Sequence, residues 1–219
     1  MAFRKKVYYH WHNKYSRNKI PGEKVEKYQG LDHPILVLIR GMPGSGKTYL
    51  ARELEKIIGD DTVVMLDPDA TDYQSQEYHE HTKRLTAEGV DENIHPYRFL
   101  REKAYKGIMA NKIIIWNQPF TELGMFGRMI HNLQTYAVDH GTELPVLIVE
   151  VEIDAAVAKK RVEERKRAGG HGPSDRTLLH RIDAYTTATT EGFGVVSVRG
   201  EAEVSQSAAI VKKAVEKLR

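Results

Sequence analysis

The chain has no cysteine in its 219 residues. That absence excludes a disulfide scaffold, a thiol nucleophile and a zinc–thiolate site. Long hydrophobic runs are also missing. The longest aliphatic stretch, Ile35-Leu36-Val37-Leu38-Ile39, falls far short of the ~20 apolar residues of a membrane span. The opening residues, Met1 to His10, are basic and aromatic, and no apolar leader core follows them. A cytoplasmic protein with no membrane association is therefore expected. Internal repeats and low-complexity tracts are lacking as well. What remains is globular composition, 41% hydrophobic and 29% charged, which argues against a disordered chain and for one domain at this length.

The formal net charge of +3 conceals an uneven distribution. Residues 1–30 hold eight Lys or Arg and two Glu, a local excess of +6, so the rest of the chain is mildly acidic. Tyr8, Tyr9, Trp11, Tyr15 and Tyr28 lie among those cations. The division expected is a basic aromatic N-terminal extension, 1–33, and a single domain, 34–219. Interleaved cations and rings suit phosphate contact and base stacking, which makes nucleic acid one partner open to the extension. The alternative is a tail that packs its rings on the domain or carries no ligand. His10 and His12 lack a third metal ligand nearby.

From residue 34 onward, strand and helix patterns alternate, the signature of an α/β fold with a mainly parallel sheet. Strands are expected at 35–39, 62–66, 112–116, 146–151 and 195–198. The first is continuously apolar, as for a strand buried on both faces. Leu50, Leu54, Ile57 and Ile58 share one helix face, and Gly59 follows as a stop. Further helix faces run through Leu100, Ala104 and Ile108, then Leu123, Phe126, Ile130, Leu133 and Ala137, then a charged segment at 155–168. Ala208, Val211, Val215 and Leu218 form the last. The fold expected is a doubly wound sandwich on five strands with a lid segment. Two stretches break the rhythm. Residues 70–95 are polar with almost no aliphatic face, and residues 169–176 are glycine-rich and flanked by arginines, so both are expected to be substrate loops or a lid.

Gly41-Met42-Pro43-Gly44-Ser45-Gly46-Lys47-Thr48 fits G-x-x-x-x-G-K-[ST] at every fixed position, after a buried strand and before an amphipathic helix. The glycines let the backbone wrap an anion, and the following helix adds its positive dipole end. Gly41, Gly44, Ser45, Gly46, Lys47, Thr48 and Tyr49 are thus the candidate ATP-binding residues of the loop. Lys47 would reach the β- and γ-phosphates, and the Thr48 hydroxyl would ligate Mg²⁺.

The loop alone does not choose among motor, switch and kinase. The third strand ends Ile115-Trp116-Asn117-Gln118 without the acidic pair of a motor ATPase, and no guanine-reading Asn-Lys-x-Asp occurs. The second strand ends Leu66-Asp67-Pro68-Asp69, two carboxylates where one can take a proton from an attacking hydroxyl. The alternative there is an Asx turn. Arg161, Arg165 and Arg167 precede the glycine-rich stretch, and Arg176 and Arg181 follow it. One or more of them would close on the γ-phosphate, where charge spreads in the transition state.

With these residues in view, the chain resembles the zeta-toxin family of small P-loop kinases over about residues 35–203. The loop, Leu66-Asp67-Pro68-Asp69, His95-Pro96-Tyr97-Arg98, Ala188-Thr189-Thr190-Glu191-Gly192-Phe193 and Val198-Arg199-Gly200-Glu201 carry the likeness. The resemblance implies an ATP- and Mg²⁺-dependent kinase acting on a hydroxyl of UDP-N-acetylglucosamine, and in many members a toxin held by an antitoxin protein. By position it implies Asp69 as general base, and Arg165 and Arg176 as catalytic arginines beside Lys47. It further implies Arg199 and Gly200 near adenine and Arg98 toward the substrate; Asp67, Asn117 and Gln118, at the ends of the second and third strands, are further candidates for binding the small-molecule acceptor. One departure stands out: the family's Glu-Gly-Thr at the end of the third strand is here Trp116-Asn117-Gln118-Pro119, amides in place of a carboxylate. That departure bears on the acceptor more than on the phosphate chemistry. Two other classes stay open: a polynucleotide 5′-hydroxyl kinase, to which the basic extension points, and a non-catalytic ATP-binding module.

Overall fold

The computed structural model describes residues 31–121, 123–169, 174–185 and 193–219. The basic segment 1–30, residues 170–173 of the expected lid and residues 188–192 of the family-like stretch lie outside the described residues. Five strands, β1 (Ile35–Gly41), β2 (Val63–Leu66), β3 (Ile113–Asn117), β4 (Val146–Glu152) and β5 (Gly194–Arg199), form one sheet in the order β2-β3-β1-β4-β5. Every pairing is parallel. Among the described residues, seven α-helices accompany them: α1 (Lys47–Ile58), α2 (Gln76–Ala87), α3 (His95–Met109), α4 (Leu123–Asp139), α5 (Ala155–Arg167), α6 (Asp175–Asp183) and α7 (Val204–Glu216).

The pleat sorts β1 into two cores. Ile35, Val37 and Ile39 pack with α1 and α7, while Leu36 and Leu38 pack with α3 and α4. Each fully buried aliphatic side chain contributes about 1.5–3 kcal/mol. β1 leads into α1 on one face of the sheet, and its neighbour β3 leads into α4 on the other. A crevice opens between the C-terminal ends of two such strands, the place where open α/β sheets hold ligands.

One helix occupies a stretch that reads as a loop, and another begins at the end of the second such stretch. The polar region 70–95 contains α2, which buries only His81 and Leu85. Its stripe is aromatic: Tyr78 and His81 each meet Phe99 of α3 with ring centroids 5.2 Å apart. Ser75 caps its first turn through Tyr78 N–H, and Arg84 pairs with Glu102 of α3. An aliphatic periodicity search misses a helix held this way. Near the end of the glycine-rich stretch, Ser174 caps α6 through Thr177 N–H, and Leu178 is buried. None of the described helices is long and apolar enough to cross a membrane.

Candidate active site

The loop 41–48 joins the buried end of β1 to α1 and leaves a cavity of about 740 Å³ at the C-terminal edge of the sheet. Close approach explains its glycines. A Cβ on Gly44, whose φ is +85°, would stand 2.5 Å from the Ala158 carbonyl oxygen on α5. A Cβ on Gly200 would stand 2.2 Å from the Ser45 carbonyl oxygen, so the loop after β5 lies directly against the phosphate loop.

Lys47 Nζ donates to the Met42 carbonyl at 2.9 Å across the loop. Burial lowers its pKa to about 8, and the cations of Arg165 and Arg181 act the same way, against Asp69 and Asp67. Two acids and two arginines therefore converge on the lysine. The Thr48 hydroxyl accepts from Asn117 Nδ2 at 3.2 Å, and the same amide donates to Asp67 Oδ2 at 2.7 Å. Asp67 Oδ1 accepts the Asp69 N–H at 2.9 Å. Asp67 is thus buried and engaged, whereas Asp69 lines the cavity. The Asx turn weighed for these residues is present, with Asp67 as its acceptor, and it presents Asp69 to the cavity. An indole N–H only donates, so the Trp116 Nε1–H bond to Gln118 Oε1 (3.2 Å) turns the Gln118 amide N–H₂ group away from the indole.

Of the remaining sequence candidates, Gly44, Ser45, Gly46, Tyr49, Asn117, Gln118, Arg165, Arg199 and Gly200 line the cavity. Gly41 sits beneath the loop, where a Cβ would meet the Val151 carbonyl at 2.7 Å. Arg176 and Arg98 are not among the lining residues. Arg176 is exposed on α6, and Arg98 sits half-buried on α3 in the electrostatic surroundings of Arg101 and Tyr105. In their place the cavity gains Arg181 and Arg161. Helical geometry gives the reason. Arg181 lies three residues past the buried Leu178, on the same face, while Arg176 lies two residues before it, on the opposite face. Arg161 shares a face of α5 with buried Ala158, Val162 and with Arg165, and donates to the Gly200 carbonyl at 2.8 Å. Recognising α6 as a helix was the missing signal.

The residues present fit magnesium and a triphosphate. Ser45 Oγ and Asn117 Oδ1 are buried without hydrogen-bond partners, and such orphaned acceptors call for a ligand or its hydration shell. Thr48 and Asp67 supply hard oxygens beside Asn117. Among the described residues, no group of three or more His, Asp or Glu forms an all-protein cage. Magnesium is commonly held by one or two protein oxygens together with substrate phosphates.

A parallel sheet, a lysine-bearing phosphate loop at its switch point and a helical segment bringing arginines over it define the P-loop kinase-like class of α/β proteins. Within it, the chain belongs to the AAA domain family, whose model matches residues 36–188. Solved structures share the fold at low identity. A candidate kinase from Chloroflexus aurantiacus J-10-fl aligns with TM-score 0.59 at 15% identity, over 83% of this chain and 98% of its own. Chaetomium thermophilum Kti12, solved with ADP-AlF3, gives 0.54 at 18%, over 83% and 97%. A gluconokinase from Sinorhizobium meliloti 1021 gives 0.51 at 14%, over 85% and 96%. A search of curated proteins found no match.

Proposed function

We propose that the protein is an ATP-dependent phosphotransferase that moves the γ-phosphoryl group to a hydroxyl of a small acceptor. The observation that carries this is the convergence of Lys47, Asp69, Arg165 and Arg181 on one cavity beside a phosphate loop. The fold is shared with a gluconokinase. In this function, loop amides and Lys47 hold the triphosphate. Asp69 accepts the proton of the acceptor hydroxyl as its oxygen bonds to the γ-phosphorus. The bond from that phosphorus to the β–γ bridging oxygen breaks, and ADP leaves. Arg165 and Arg181 face the charge that develops on the γ-oxygens. Thr48 and Asp67 would hold Mg²⁺, which neutralises phosphate charge when bound. Asn117 orients both. Arg199 and Gly200 border the nucleoside end, beside Val198 and Val204.

For the acceptor, the resemblance to the zeta-toxin family supports a nucleotide sugar such as UDP-N-acetylglucosamine, and with it an antitoxin partner. Asn117 and Gln118 line the cavity in the stretch where that family carries a carboxylate, so that stretch is where this chain's acceptor would differ. A polynucleotide 5′-hydroxyl is the second acceptor class, favoured by the +6 aromatic segment 1–30. The test is incubation with MgATP and a metabolite pool, followed by mass spectrometry for one added phosphoryl group. Asp69→Asn should abolish the product and leave ATP affinity within about threefold, an Asp contact to the hydroxyl proton being a transition-state term. Product formation undiminished in Asp69→Asn would refute Asp69 as base. ATP binding without any phosphorylated product from the pool or from oligonucleotides would leave a non-catalytic ATP module.

A further inference from the structure

We infer that Arg40, Glu150 and Tyr185, which lie outside the cavity lining, form a buried positioning network that holds α6 so that Arg181 faces the transferring phosphate. The inference rests on the kinase function proposed above.

Arg40 is the last residue before Gly41 and is fully buried. It projects to the α3–α4 side of the sheet, where an apolar side chain would be expected after Leu36 and Leu38. Its guanidinium donates to Glu150 Oε1 at 2.6 Å and to the Phe120 carbonyl at 3.0 Å. It also stacks over the Tyr185 ring, 4.9 Å from the centroid, and the Phe126 ring at 5.4 Å. The other Glu150 oxygen accepts from the Tyr185 hydroxyl. Burial and the neighbouring Glu150 raise the Tyr185 pKa, so the phenol keeps its proton and remains the donor.

Stability alone is a poor reason for this pair, because a buried ion pair is often replaceable by apolar residues at no loss. Its contacts are informative instead. They reach three segments that border the cavity: the strand feeding the phosphate loop, the turn after Gln118 and Pro119, and the chain leaving α6. The turn is held in a costly conformation, with Phe120 at φ +47° and its carbonyl taken by Arg40. At the third segment, helix hydrogen bonding continues to Tyr185. Ala184 N–H donates to His180 O at 2.9 Å, and Tyr185 N–H to Ile182 O at 3.2 Å. A stiff turn therefore joins Tyr185 to Arg181. Leu178, 1% exposed, pins the other end. Leu178 and Arg181 share one face of α6, Leu178 and Tyr185 anchor the segment on either side of Arg181, and Arg181 lines the cavity.

The test uses the full chain and two probes, MgADP and MgADP with aluminium fluoride, titrated by calorimetry. Wild type should bind the fluoride complex more tightly than ADP. Tyr185→Phe should lose about tenfold of that preference while ADP affinity stays within about twofold. In an Arg181→Ala background, Tyr185→Phe should cost nothing further, the mark of a residue acting through another. Full retention of the preference in Tyr185→Phe, or an equal added loss in Arg181→Ala, overturns the inference. Hydrogen exchange gives a nucleotide-independent reading: amides of α6 should exchange faster in Tyr185→Phe while those of β1 and β4 do not. Unchanged α6 exchange also overturns it. If wild type shows no preference for the fluoride complex, the kinase function fails, and exchange alone then decides the network.

Discussion

Lys47 is a cation held out of water, so its proton is the most sensitive feature of the site. Its pKa near 8 in the free protein lies below the ordinary lysine value of 10.5. The folded chain therefore binds fewer protons than the unfolded chain between about 8 and 10.5, and this group adds stability to the ligand-free protein as pH rises through that window. Triphosphate reverses the preference, because an anion favours the charged lysine. ATP binding near pH 8 should take up a proton, and affinity should fall as pH climbs above it. Calorimetry in two buffers of different ionisation enthalpy reads that uptake directly, and Lys47→Ala should erase it. The same variant should weaken ATP binding by one to two orders of magnitude, about the 1.5–3 kcal/mol of a hydrogen bond to a charged group. Gly200→Ala brings a methyl group against the Ser45 carbonyl. It should cost about 1–3 kcal/mol in denaturant melts through overpacking, and reduce ATP affinity because the loop must shift.

At the scale of elements, strands and helices were legible to the degree that their packing is aliphatic. β1, β3 and β4 are buried on both faces, and their apolar runs mark them in the sequence. α4 declares itself through Phe126, Ile130, Leu133 and Ala137, all buried. Leu133→Ala should cost about 2–5 kcal/mol by chemical denaturation, because a fully enclosed side chain leaves a cavity. ATP affinity should stay within about twofold, since α4 does not line the cavity. α2 is the counterexample. Its contacts are aromatic edges, a buried histidine and ion pairs to α3, interactions that no hydropathy pattern reports. Ser75→Ala should destabilise it by about 1 kcal/mol, visible as faster amide exchange in its first turn.

For the molecule as a whole, the nucleotide binding proposed above would be linked to folding. ATP at a hundred times its dissociation constant should stabilise the chain by about 2.7 kcal/mol, seen as a rise in melting temperature. Lys47→Ala should lose most of that rise. Removal of residues 1–30 should preserve it, because among the described residues the cavity lining runs from Pro43 to Ser207. The same truncation separates the two acceptor classes. If a polynucleotide is the acceptor, its binding should weaken steeply with salt in the full chain and lose most of that slope once the eight cations are gone.

The phosphate loop, its flanking strand and helix, and the two acids ending β2 were written in local order along the chain. Backbone wrapping of a phosphate needs glycines at fixed short spacing, and such spacing survives in one dimension. The choice of arginine did not. Arg176 and Arg181 are equivalent as letters, and only the burial of Leu178 sets one of them beside the cavity. Asn117 and Asp67 are fifty residues apart, and only the parallel register of β2 and β3 sets them in contact. The Arg40–Glu150–Tyr185 network likewise joins three distant segments. Contacts between remote residues depend on which faces the core leaves free, and that is decided when the sheet and its helices close on one another.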